Sequence, residues 1–333
     1  MKKVQIGILS CAGIARKQII PAAQLAANME IRAVASRTPE KAQAFAKENG
    51  IPQSYASYEA LLASPDIEAV YIPLPNSLHK EWAIKAAEAG KHILCEKPLA
   101  VTPADCLEMD AAARQNNVLL MEAFMYRFHP LTEKIIREVH AGLLGDHLTM
   151  QSWHSFLLTD PSNIRLNAEL HGGSLMDVGC YCVNVTRTLF NEEPEAVSAI
   201  AHNHANGVDD QINILARFPS GRSAVLSSGL VSAYPSGYQI SGTRGFVRAE
   251  SGYHLGINHG TVTQKIDGVE TILHDKTNEY TRMLEHFADC VQNQKPLRYE
   301  IDDAVNNMAF ICAALASAKQ NGAWVNVPNQ RKA

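Results

Sequence analysis

The sequence predicts two domains: a doubly wound α/β domain with a parallel sheet over residues 1–122, and an α+β domain over 123–333 with a large, mostly antiparallel, open-faced sheet. Three observations predict this. A chain of 333 residues is long for one hydrophobic core and comfortable for two. In the first third, short apolar strands alternate with helices at the spacing of crossover units, which requires a parallel sheet with helices on both faces. From Leu148 onward the pattern changes to alternating stretches separated by Gly, Ser and Asn turns, the mark of antiparallel strands.

Taken in order, Val4–Leu9 is an apolar strand followed by a small-residue turn and a helix through Gln24. Ile31–Ala35 is a strand, and a helix runs from Pro39 to Glu48 before Gly50. A short helix covers Glu59–Ala63, and Ala69–Ile72 is a buried strand. His79–Ala89 is an amphipathic helix stopped by Gly90, and His92–Cys95 is a strand. Thr102 caps a helix over Pro103–Gln115, and Val118–Met121 is a further strand. The domains join near Glu122–Arg127, and a basic helix over Leu131–Ala141 ends at Gly142. Strands follow at Met150–Phe156, Val197–His202, Ile212–Phe218, Ser223–Leu230, Tyr238–Ser241, Gly245–Ala249 and Thr261–Ile266, with a hairpin turn at Gly221-Arg222. Helices over Asn278–Gln292 and Asp302–Lys319 close the chain.

Composition narrows the function. Hydrophobic residues at 46% and charged residues at 19% fit a globular chain rather than a disordered one. A net charge of −4 offers no basic field, so neither nucleic acid nor an anionic membrane is expected as a partner. No apolar run approaches the roughly 20 residues needed to span a bilayer. The chain enters its first strand directly after Lys3, without the apolar stretch and cleavage site of a signal peptide. Seven cysteines without CxxC spacing suit a reducing cytoplasm, where the protein is expected. His202 and His204 share one face of a strand but lack a third ligand, so no metal is expected.

The first strand-turn-helix is where a dinucleotide pyrophosphate sits in a Rossmann domain, on helix N-terminal amides. The GxGxxG slots hold Ser10, Ala12 and Ala15, with Cys11 and Ile14 between them. All three slots hold small residues, so backbone can approach phosphate, although a tight turn without a ligand would look the same. The second strand ends in Ala35-Ser36-Arg37, with Lys41 one helical turn on, where NAD enzymes place an acid for the ribose 2′-hydroxyl. A hydroxyl and two cations suit a 2′-phosphate, so NADP is expected, with NAD possible; surface charge alone is the bland alternative. Lys97 follows an apolar strand and precedes Pro98, which places it at the carboxyl edge of the parallel sheet, where such folds bind ligands. Hydride transfer from a carbinol requires a base for the hydroxyl proton, and a lysine there can lower the pKa of a neighbouring tyrosine.

Two segments carry a more specific pattern. One is Ile72-Pro73-Leu74-Pro75-Asn76-Ser77-Leu78-His79, leading into Cys95-Glu96-Lys97-Pro98; the other is His171-Gly172-Gly173-Ser174-Leu175-Met176-Asp177-Val178-Gly179-Cys180-Tyr181. Together they resemble the Gfo/Idh/MocA oxidoreductase family. The resemblance extends along the chain through Glu122–Arg127 and Gly207-Val208-Asp209-Asp210. It implies hydride transfer between a nicotinamide and a carbinol or carbonyl carbon of a sugar, polyol or cyclic diol. It also implies proton transfer by Tyr181, a tuning and orienting role for Lys97, and an Asp177 that binds a substrate hydroxyl or steers Lys97. Tyrosine at 181, rather than histidine, is similar to the glucose–fructose and dihydrodiol types. Pro73, Asn76 and His79 resemble the loop around the nicotinamide, with Glu96 in the same region. Arg127 and Tyr280 are weaker candidates for substrate contact, and Trp153 and His154 weaker still. Taken singly, Asp177 could cap a helix, Tyr181 could be a core aromatic, and Lys97 could pair with Glu96.

Departures matter too. The glycine fingerprint is degenerate, and His171 replaces the first glycine of the family's Gly-Gly-Gly run, where its imidazole would shape the substrate pocket. A homodimer or homotetramer through the open sheet is expected by analogy with the family. Two other readings stand beside an ordinary dehydrogenase: a hydride shuttle that keeps its cofactor, and a non-catalytic NADP-sensing regulator. The intact Lys97, Asp177 and Tyr181 favour catalysis.

Overall fold

The computed structural model describes residues 3–233 and 236–328. By packing, the chain divides into Met1–Met125 with Tyr280–Ala304, and Tyr126–Glu279 with Val305–Ala333. This differs from a single cut after residue 122 in returning Tyr280–Ala304 to the first unit. The reason is local: the Thr281 hydroxyl donates to the Ala22 carbonyl at 3.2 Å, and the Asn28 amide donates to the Glu285 carbonyl at 2.8 Å.

The first unit holds six parallel strands: β1 (Val4–Leu9), β2 (Met29–Ala35), β3 (Gln53–Tyr55), β4 (Ala69–Ile72), β5 (His92–Cys95) and β6 (Leu120–Glu122). Their order is β3-β2-β1-β4-β5-β6. Every residue of β4 is buried, as a strand covered on both faces requires. Between the strands run α1 (Ile20–Leu25), α2 (Pro39–Asn49), α3 (Tyr58–Leu62), α4 (His79–Glu88) and α5 (Pro103–Gln115). A π turn over Ala15–Ile19 leads into α1. The expected punctuation is visible. Gly50 ends α2 at φ 65°, and the Thr102 hydroxyl accepts the Asp105 N–H at 3.1 Å to start α5. Strand order reverses between β1 and β4, and ligands of such sheets sit at the carboxyl ends of the strands beside that reversal.

The second unit opens with α6 (Pro130–His140) and β7 (Thr149–Ser155), and then α7 (Cys180–Phe190) follows a π turn over Leu175–Gly179. Next come β8 (Ala196–Asn203), β9 (Asp209–Arg217), β10 (Ser223–Gly229), β11 (Gly237–Gly242), β12 (Gly245–Glu250), β13 (Thr261–Ile266) and β14 (Val269–Leu273). Helix α8 (Glu279–Asn293) belongs to the first unit from Tyr280 on, and α9 (Ile301–Lys319), mostly in the second, precedes a short β15 (Val325–Asn326). The sheet order is β14-β13-β12-β11-β7-β10-β9-β8-β15. It is antiparallel except at its centre, where β7 and β10 run parallel, which agrees with the mostly antiparallel sheet expected. α7 lies on the inner face, where the Ser152 hydroxyl donates to the Cys182 carbonyl at 3.4 Å. The outer face exposes Ile200, Leu215 and Val225. No described helix is long and apolar enough to cross a membrane, and all seven cysteines are thiols.

Candidate active site

In the first unit, the loops after β1, β2, β4 and β5 carry the residues expected to meet a dinucleotide. Ser10 adopts φ 131°, a region that glycine favours, so the backbone of the first fingerprint slot is kept although its residue is not. Its hydroxyl donates to the Pro73 carbonyl at 3.3 Å. A Cβ built on Gly13 meets no atom within 4 Å, so the turn faces open space. The π turn that follows has no side-chain cap and no acidic residue in its first turn. Cys11, Ser36 and Lys41 converge: Cys11 Sγ lies 3.6 Å from the Lys41 carbonyl and exchanges a hydrogen bond with Ser36. Burial raises the Cys11 thiol, and the Lys41 charge opposes that rise. Arg37 donates to Tyr58, whose phenol burial pushes up. Small residues and open amides after β1, with a hydroxyl and two cations after β2, form a donor set that fits NADP.

The β4 and β5 loops are braced against each other. His79 is fully buried, with Nδ1 3.0 Å from the Pro98 carbonyl and Nε2 2.8 Å from the Leu74 carbonyl. Desolvation lowers its titration, against the pull of these carbonyls. Both ring nitrogens are therefore used inside the protein, and His79 holds the loops rather than reaching a ligand. Tyr71 Oη donates to Glu96 Oε1 at 2.5 Å, and the Lys97 N–H donates to Glu96 Oε2 at 3.3 Å. The Leu99 N–H donates to Glu122 Oε1 at 2.7 Å. Glu96 is thus a brace of the loop that carries half-buried Lys97. Asn76 opens a single helical turn between this framework and α4.

In the second unit, Tyr181 sits 4% exposed at the start of α7. Its ring lies 5.4 Å from His154, 5.4 Å from Tyr253, 6.0 Å from Tyr126 and 6.2 Å from His254. His154 stacks on Tyr253 at 5.0 Å. Adjacent strand residues point to opposite faces, so of the Trp153-His154 pair only His154 reaches this cluster, and Trp153 lies on the outer face beneath Arg248.

Asp177 has a partner that the sequence did not reveal: Arg165 Nε donates to its Oδ2 at 2.5 Å. The two glycines after His171 permit this loop. A Cβ on Gly172 would stand 2.2 Å from the Arg165 carbonyl oxygen, and one on Gly173, at φ 106°, would stand 2.3 Å from Asp209 Oδ1. Asp209 anchors the turn that carries Asp177: its Oδ2 accepts from Ser174 Oγ at 2.6 Å and from the Leu175 N–H at 2.7 Å. Burial raises its carboxyl, opposed by these donors.

His171 is exposed at φ 52°, Arg127 is buried in the turn after β6, and Tyr280 is buried at the start of α8. His204 lies beyond β8, and His202 Nδ1 pairs with Asp210 Oδ1 at 2.6 Å, so the two do not form the shared strand face expected of them. No group of three or more metal-ligating side chains occurs among the described residues.

The sequence reading also passed over Tyr253, His254 and Glu279. Glu279 is fully buried, and burial pushes its carboxyl up to about 7, against the amides of Glu279, Ile257 and Gly256. No sequence signal marked it, since a glutamate at a helix start is ordinarily solvated.

The chain is similar to known proteins in sequence and in fold. The family described as an oxidoreductase family with an NAD-binding Rossmann fold matches residues 4–124, and the GFO/IDH/MocA C-terminal domain matches residues 132–248. D-xylose 1-dehydrogenase (NADP(+)) 2 of Haloferax volcanii is 40% identical over 324 residues, covering 96% of this chain and 99% of that protein. Trans-1,2-dihydrobenzene-1,2-diol dehydrogenase of Xenopus laevis is 38% identical over 248 residues, covering 74% of each chain. The crystal structure of aldose-aldose oxidoreductase from Caulobacter crescentus, complexed with glycerol, superposes with a TM-score of 0.90 at 31% identity, covering 98% of this chain and all of that one. This chain belongs to the Gfo/Idh/MocA family of oxidoreductases.

Proposed function

We propose that this protein oxidises the anomeric hydroxyl of an aldose, with pentoses of the D-xylose kind first among its substrates, using NADP. It is an NAD(P)-dependent oxidoreductase that transfers a hydride between the nicotinamide and a carbinol or carbonyl carbon. The observation that carries the choice of substrate is the end-to-end match to an NADP-dependent D-xylose dehydrogenase. The cluster around Tyr181 supports it, because imidazole edges and the Asp177–Arg165 pair suit sugar hydroxyls better than an all-hydrocarbon wall would.

When bound, NADP supplies the carbon-4 position that accepts or returns the hydride. The chain's own residues do the rest. Tyr181 takes the hydroxyl proton as the C–H bond breaks, which leaves a lactone. Lys97 orients the reacting oxygen and tunes the phenol. Asp177, held by Arg165, binds a neighbouring sugar hydroxyl. Ser36, Arg37 and Lys41 hold the 2′-phosphate.

The test is to mix the purified protein with NADP or NAD and a panel of aldoses, inositols and cyclic diols, and to follow reduced nicotinamide by absorbance. Turnover with pentoses and a preference for NADP supports the proposal. Oxidation of dihydrodiols alone overturns the substrate, and a preference for NAD overturns the role given to Ser36 and Arg37. Arg37→Ala should raise the NADP KM by about tenfold and leave the NAD KM nearly unchanged.

A hydride shuttle between two aldoses is the second reading, favoured by the likeness to the aldose-aldose oxidoreductase. It predicts that NADP stays bound through gel filtration and that one aldose is oxidised only when a second is present to be reduced.

Pairing of copies through the outer face of the large sheet, as a dimer or tetramer, is part of the proposal. Apolar Ile200, Leu215 and Val225 support it, as does a concavity of about 460 Å³ lined in part by Gln151, Trp153 and Val225. A cytoplasmic location is also proposed, supported by seven cysteines that are all thiols.

A further inference from the structure

The second unit buries a carboxylate that the reaction above does not use. Glu279 has no exposed surface, and its carboxylate meets the backbone amides of Glu279, Ile257 and Gly256 but no hydrogen-bonding side chain among the described residues. An isolated carboxylate in the interior is costly and is relieved either by a proton or by a cation. His254 Nδ1 stands 3.9 Å from Glu279 Oε1. The His254 ring also lies 6.2 Å from Tyr181 and 6.1 Å from His154. An acid and an imidazole therefore stand in line behind the tyrosine assigned to proton transfer.

We propose that Glu279 and His254 share one proton and act as positioning residues for Tyr181, the imidazolium form of His254 easing the loss of the phenolic proton. The pair is neutral overall whether the proton sits on the carboxyl or on the imidazole, so moving it brings no net charge into the interior. The location of the positive end is what changes. On His254 it lies beside the Tyr181 ring and stabilises the phenolate that accepts a proton from the sugar. Without Glu279, no carboxylate stands beside His254 to hold the proton there, and that support is lost. The other titratable groups facing this cluster are Tyr126 from the turn after β6, His154 from β7 and Tyr253 beside His254; the Tyr253 phenol is pushed up by burial and next by Cys182. Gly256, Ile257 and Glu279 present amides to the carboxylate.

The inference rests on Tyr181 as the proton-transfer residue, so the test separates the two. Tyrosines labelled with carbon-13 at the hydroxyl-bearing carbon are titrated by NMR in the full-length protein and in Glu279→Gln, with Tyr181→Phe identifying the resonance. The pH profile of aldose oxidation is measured in parallel. The expected result is that Tyr181 titrates about one pH unit higher in Glu279→Gln and that the rate profile moves with it. An unmoved Tyr181 resonance in the folded variant overturns the inference, whatever the activity. A moved resonance with an unmoved rate profile overturns Tyr181 as the proton-transfer residue, and the catalytic consequence with it. Should Glu279→Gln not fold, His254→Phe keeps the ring, removes the charge and carries the same expectations.

Discussion

The proton transfer proposed for Tyr181 depends on its surroundings, because a tyrosine in water holds its proton far above neutral pH. Tyr181→Phe keeps the ring and its contacts with His154 and Tyr253, and loses only the oxygen. The expected outcome is a kcat lower by about 10²- to 10⁴-fold with NADP affinity nearly unchanged, checked by steady-state kinetics and by nicotinamide fluorescence titration. Glu279 makes a prediction about stability. Its carboxyl is raised from 4.5 to about 7, so the native state binds more protons than the unfolded one across that window. Stability is therefore fully present below the unfolded value and declines as pH rises through the folded one. Glu279→Gln mimics the protonated acid and should match the wild type near pH 4.5. By about pH 8 it should be the more stable, by on the order of 3 kcal/mol less whatever His254 returns to the wild type. Urea midpoints at the two pH values check this, and equal midpoints at both would remove Glu279 from the account.

At the scale of elements, the turn that carries Asp177 depends on a neighbouring strand. Asp209 at the start of β9 accepts two hydrogen bonds from Ser174 and Leu175, just where the π turn begins. Asp209→Ala strands both buried donors, which costs about 2–3 kcal/mol. It should also lower kcat, since Asp177 and Tyr181 lie on the segment that it secures; denaturant unfolding beside steady-state rates measures both. Legibility at this scale divides along physical lines. Gly50, Gly90 and Thr102 end or start helices through their own backbone and side chains, so those boundaries are readable residue by residue. Lys97 stands in one short motif and Asp177 and Tyr181 in another, so each is proposed from its immediate neighbours in sequence. What escaped lacks local cause. β3 is three residues long, β15 is two, and β14 is mostly exposed; each is defined by the partner it pairs with. The parallel pairing of β7 with β10 joins segments some seventy residues apart. Arg165 meets Asp177 across a loop, and nothing near Glu279 announces that it is buried.

At the scale of the whole molecule, the outer sheet face is the exposed feature still to be accounted for. Strand pairing sets Leu215 opposite Val225, both on that face, with Ile200 on the neighbouring strand. Leu215→Glu places a carboxylate amid that apolar row and should turn an oligomer into monomers by sedimentation velocity, with little effect on the inner face and its Tyr181 cluster. An unchanged sedimentation coefficient would move the interface elsewhere.

The return of Tyr280–Ala304 to the first unit bears on how the protein is made and inherited. A ribosome delivers all six parallel strands long before it delivers Thr281 and Glu285, so Ala22 and Asn28 wait for partners that arrive near the end of synthesis. The dinucleotide unit therefore completes itself late, through nearly the last helix to emerge, although its sheet is the first part translated. A gene rearrangement that carried away only the opening third would transplant a sheet stripped of one of its helices. Neither half of this molecule is one continuous stretch of sequence, so no single excision lifts either out whole.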